Sequence, residues 1–62
     1  MAKVIKRLNG MVIAELSEKE EKESGYRYQV FTKDEWSQGK GYRYEEWQAD
    51  NIDECIDFIE SY

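Results

Sequence analysis

Asp50-Asn51-Ile52-Asp53-Glu54-Cys55-Ile56-Asp57-Phe58-Ile59-Glu60-Ser61-Tyr62 closes the chain with alternating acidic and apolar residues at helical spacing. At about 100° per residue, Ile52, Cys55, Ile56, Phe58, Ile59 and Tyr62 fall on one half of a helix. Asp50, Asp53, Glu54, Asp57 and Ser61 fall on the other half, with Glu60 near the boundary. Acidic residues crowd the first turns, where the macrodipole favours them. Asp50 reads as the N-cap, with Asp53 in the place that a capping box fills with Glu. The spacing predicts a helix over about 51–61. A stripe this short is not stable alone and must dock on another layer.

That layer is legible upstream. Asn9-Gly10 is a strong hairpin signal between two aliphatic, β-branched runs, predicting strands over about 3–8 and 11–17. Further on the chain nearly repeats itself. Gly25-Tyr26-Arg27-Tyr28-Gln29-Val30-Phe31 is echoed by Gly41-Tyr42-Arg43-Tyr44-Glu45-Glu46-Trp47, and both segments alternate at period two. They predict adjacent antiparallel strands over about 25–32 and 41–48. If like faces align, Tyr26, Tyr28, Val30, Tyr42 and Tyr44 share one side; Arg27, Gln29, Phe31, Arg43, Glu45 and Trp47 share the other. One register sets Arg27 opposite Glu45 and Tyr28 opposite Tyr44.

Between these elements lie two polar segments. Residues 17–24, Ser-Glu-Lys-Glu-Glu-Lys-Glu-Ser, read as a solvated acidic loop, with a brief helical turn held by Glu–Lys pairs as the alternative. Thr32–Lys40 reads as a connecting loop containing Trp36. The expected fold is therefore α+β, a β-β-β-β-α antiparallel meander with one C-terminal amphipathic helix packed on one face.

With 62 residues the chain is a single domain near the lower size limit for folding without a staple. Nine aromatic residues must supply much of its buried area. Histidine is absent, which closes most routes to acid–base catalysis and Zn²⁺ ligation near neutral pH. Cys55 lies on the apolar stripe between Glu54 and Asp57, the setting of a buried small hydrophobe rather than a nucleophile. Asp50, Asp53, Glu54 and Asp57 form the solvated face of a helix, without the pattern of a Ca²⁺ loop. Glycines 10, 25, 39 and 41 make no phosphate-binding motif. No enzyme, cofactor or metal is expected. A lone cysteine and short N-terminal apolar runs favour a reducing, cytoplasmic location without a membrane span.

Net charge is −5 and unevenly placed: residues 1–14 carry Lys3, Lys6 and Arg7 and no acid, whereas residues 45–62 carry only acids. One helix covers one face of a four-stranded sheet, so aromatics on both sides of the Tyr/Arg strands predict an uncovered aromatic face. The expected role is a non-enzymatic protein-interaction module, acting through that face and capable of homodimerisation. Its candidate surface comprises Tyr26, Arg27, Tyr28, Phe31, Trp36, Tyr42, Arg43, Tyr44 and Trp47. Trp36 either folds back on the core or anchors a partner. Two alternatives stand beside this. One is single-stranded nucleic-acid binding by the Tyr/Arg strands, disfavoured by the negative charge. The other is an acidic helix that imitates nucleic acid and inhibits a basic protein.

Overall fold

A computed structural model describes residues 2–39 and 43–62. Its four strands are β1 (Lys3–Leu8), β2 (Met11–Glu15), β3 (Tyr28–Thr32) and β4 (Trp47–Ala49). They form one antiparallel sheet in the order β1-β2-β3-β4. Asn9 and Gly10 both hold positive φ, 51° and 76°, the geometry that lets a two-residue turn follow the twist of its strands. The fold is α+β, and the C-terminal helix α3 (Ile52–Ser61) packs on β2, β3 and β4.

The core lies between α3 and one sheet face. Met11, Ile13, Val30 and Ala49 meet Cys55 and Ile59, with Leu8, Tyr28, Ile52, Ile56 and Phe58 packed around them. These are alternate residues on the strands and residues three or four apart on the helix, as the two periods require. Every residue from Met11 to Ala14 is buried, because both faces of β2 are covered. That explains an apolar run with no alternation to assign.

Two polar segments expected to be loops are helical. Residues 18–24 form α1 (Glu18–Ser24) and residues 33–37 form α2 (Lys33–Ser37). Each starts with a reciprocal capping box: the Ser17 hydroxyl accepts from the Glu20 N–H while the Glu20 carboxylate accepts from the Ser17 N–H, and Thr32 with Glu35 does the same. Gly25, in the left-handed conformation, closes α1 by donating its N–H to the Glu21 carbonyl. Because α1 buries no residue, its capping and charge pattern stabilise it in place of a core.

Five other expectations are corrected. The strand expected over 11–17 ends at Glu15, and the one expected over 25–32 starts at Tyr28. The strand expected over 41–48 is reduced to Trp47–Ala49, with Gly41 and Tyr42 outside the described residues. The helix cap is Asn51, whose Oδ1 accepts from the Glu54 N–H at 2.9 Å, rather than Asp50. The register also differs: Tyr28 faces Ala49 and Val30 faces Trp47. Arg27 therefore pairs with Glu15 rather than Glu45, its Nε and Nη2 donating to one carboxylate oxygen at 3.0 and 2.9 Å. Over the described residues, the near-repeat in sequence is not a repeat in structure.

Candidate functional site

This register divides the expected surface between the two sides of the sheet. Trp47, opposite Val30, lies on the helix-covered side and stacks on Phe58, with centroids 5.1 Å apart and rings 7° from parallel. Tyr28 packs against the main core. The expected grouping of Trp47 with Phe31 is thus wrong by one strand face. Tyr44 is outside any strand and 80% exposed. Arg27 lies exposed beside Glu15, its guanidinium carbon 5.8 Å from the Tyr28 ring centre. Tyr42 lies outside the described residues.

On the second face, Val12, Ala14, Gln29 and Phe31 alternate with the core residues of β2 and β3. This face is not left bare, as the single-helix argument expected. The short α2 crosses it and sets Trp36 edge-on against Phe31, centroids 5.1 Å apart. Arg43 then covers the outer side of the indole. Its guanidinium carbon is 3.5 Å from the ring centre, and its Nε donates to the Trp36 carbonyl at 2.8 Å. Trp36 thus folds back, and Val12, Ala14 and Phe31 are buried.

Between α1 and α2 the same face stays open as a groove of about 550 Å³. Phe31 and Trp36 form one wall, and Tyr26 with Leu16 forms another. Glu23 and Ser24 approach from α1, together with Glu20, whose carboxylate is engaged in the Ser17 cap. Glu45 approaches from the segment before β4 and accepts from Gln29 Nε2, which also donates to the Tyr26 hydroxyl at 3.3 Å. A polar chain, Tyr26–Gln29–Glu45, therefore crosses the groove. Among the described lining residues the one cation is Arg43, and its guanidinium lies over Trp36. The groove is aromatic and carboxylate-rimmed.

Of the nine residues expected to form the surface, the structure brings together Tyr26, Phe31, Trp36 and Arg43. It adds Gln29, Glu45 and Glu23, which sequence reasoning did not single out as site residues. Their placement follows from α1 and α2, and the signals for both helices were Ser17-x-x-Glu20 and Thr32-x-x-Glu35.

A second polar cluster lies where α2, β4 and α3 meet. The Tyr62 hydroxyl donates to Glu46 Oε1 at 3.1 Å. Hydrogen bonding from the Thr32 backbone holds Glu35 below the usual carboxylate range, with Glu46 adding to the effect. Glu46 is raised by the adjacent Glu35 carboxyl, and Tyr62 is raised by Glu46. Glu46 and Tyr62 are exposed. Cys55 is fully buried, and burial with the nearby Glu54 pushes its thiol up to about 11, so it is a packing residue.

Among the described residues, no group of three or more His, Cys, Asp or Glu side chains is placed to hold a metal ion. None of the described helices is long and apolar enough to cross a membrane. Comparison with known proteins gives no matching family, no matching curated relative and no matching solved structure.

Proposed function

We propose that this chain is a non-enzymatic protein-binding module whose α1–α2 groove receives a lysine or arginine side chain of a partner. The observation that carries this reading is the pairing of an aromatic wall with a carboxylate rim on which Arg43, the one cation among the described lining residues, lies over Trp36. Long basic side chains bury their aliphatic stems on apolar surface and keep the charge at a polar edge. Here Tyr26, Phe31 and Trp36 offer the surface, and Glu23 and Glu45 offer the edge. The net charge of −5 favours the approach of a basic partner. A nucleic-acid partner is argued against by the same charge. Arg27 and Arg43, the cations it would need, are turned onto Glu15 and Trp36.

The test uses blocked single residues as probes. Nuclear magnetic resonance titration with acetyl-lysine methylamide or acetyl-arginine methylamide, the terminal charge kept, should shift Trp36 Nε1–H and the Gln29 side-chain amide saturably. Added salt should weaken the effect, and Glu23→Gln with Glu45→Gln should reduce it at least several-fold. Acetyl-norleucine methylamide keeps the stem without the charge and should bind more weakly. Equal binding of norleucine, or no saturable shift with the basic probes, overturns the reading.

A further inference from the structure

The two outer edges of the sheet differ in charge and in chemistry. Among the described residues β1 is an edge strand with no neighbour on its far side, and it exposes Lys3, Lys6 and Arg7 around Ile5, itself 38% exposed. β4 is the opposite edge. Together with α3 it exposes Trp47 (46%) and Tyr62 (67%) on either side of Phe58, a ladder of three rings in contact. Beside Trp47 and Phe58 lies a shallow depression of about 410 Å³ bounded by Glu54, Asp57 and Ser61. No base occurs anywhere in residues 45–62. One edge is thus aliphatic and basic, the other aromatic and acidic.

We infer that the chain associates head to tail, the β1 edge of one copy docking on the Trp47–Phe58–Tyr62 ladder of the next. Charge complementarity selects this occupant. A two-fold contact through either edge would set like charges against each other, whereas a heterologous contact sets Lys6 and Arg7 beside Glu54 and Asp57. The aromatic ladder adds two attractive terms. Ile5 covers exposed ring surface, and an arginine or lysine lies over the Trp47 face as a cation–π contact. The bulge between Val4 and Lys6, with the lysines flanking it, blocks direct β1–β1 pairing and leaves side-chain docking open. A contact of this type does not close on itself, so it builds chains whose length rises with concentration. The surface is separate from the α1–α2 groove, and the inference stands independently of it.

The experiment measures weight-average mass by light scattering or sedimentation, at low and high salt, over a wide concentration range. Wild-type protein should rise past the mass of a dimer at low salt and return to monomer at high salt. Lys6→Gln with Arg7→Gln should abolish the rise, as should Glu54→Gln with Asp57→Asn; all four positions are exposed, so neither variant should unfold. An equimolar mixture of the two variants retains one wild-type edge of each kind and should form a dimer that grows no further. Monomeric wild-type protein throughout, a closed dimer insensitive to either variant, or a mixture that stays monomeric would overturn the inference.

Discussion

Replacing Trp36 with alanine distinguishes a residue that closes the second sheet face from one that merely projects from a loop. The substitution removes the edge-on contact with Phe31, worth about 0.5–1.5 kcal/mol. It also removes the ring under Arg43, worth about 0.5–1 kcal/mol at a partly exposed site. Half-burial of the indole contributes on the order of 1 kcal/mol more. The expected loss is therefore about 2–3.5 kcal/mol, set against a total stability of about 3–9 kcal/mol for a domain of this size. In a thermal melt followed by circular dichroism, Tm should fall by roughly 15–27 °C. Trp36→Phe should recover more than half of that loss. Arg43→Gln alone should cost about 0.5–1.5 kcal/mol, and only part of that effect should vanish in the Trp36→Ala background, because the cation–π contact leaves with the indole while the bond to the residue-36 carbonyl remains. A drop of less than about 2 °C for Trp36→Ala would mean that α2 contributes nothing to covering Phe31.

Further outcomes follow from the same packing. Ile59→Ala, in the centre of the α3 contact, should cost about 2–5 kcal/mol and leave the domain largely unfolded in a urea titration at 37 °C; a mild effect would mean that α3 is not seated on the sheet. Ser17→Ala and Thr32→Ala each remove a cap worth about 0.5–2 kcal/mol, but their consequences should differ. Hydrogen exchange should show Ser17→Ala fraying α1 alone, which buries nothing, whereas Thr32→Ala should also lower global stability because α2 carries Trp36. Equal global losses would contradict that assignment. Cys55 has its folded-state thiol raised from 9.0 to about 11, so its contribution is fully present below pH 9 and is lost as pH climbs through about 11. Tm should fall more steeply across that window than in Cys55→Ala, and reaction with a thiol reagent at pH 8 should proceed only as fast as the protein opens; a rapid reaction would place the thiol at the surface.

Much of the fold was legible because it is specified locally. The Asn9-Gly10 turn, the aliphatic runs around it and the apolar stripe from Ile52 to Ile59 each constrain a few neighbouring residues, and together they give the hairpin, the helix and their packing. The two short helices were also written locally, in Ser17-x-x-Glu20 and Thr32-x-x-Glu35, but polar composition concealed them. Helices without an apolar face of their own leave no periodic signal, and only the reciprocal caps mark them. The echo of Gly25–Phe31 in Gly41–Trp47 worked in the opposite direction, since matching side chains suggested a matching register that the chain does not adopt.

The open aromatic face was decided by register, and register is a property of two strands at once. Pairing Trp47 with Val30 sends that tryptophan to the α3 side rather than the Phe31 side, and Phe58 receives it there. Arg27 and Arg43 look alike in sequence, each between two tyrosines, yet one finds Glu15 across β2 and the other finds Trp36. Sequence by itself determined the amphipathic helix, the hairpin and the uneven charge, because each is carried by the identity and spacing of near neighbours. Only the tertiary structure decided that the second face is closed by Trp36 at one end and left as a groove at the other. That outcome depends on where α1 and α2 come to rest on the sheet, and such long-range placement is fixed by packing that no local pattern encodes.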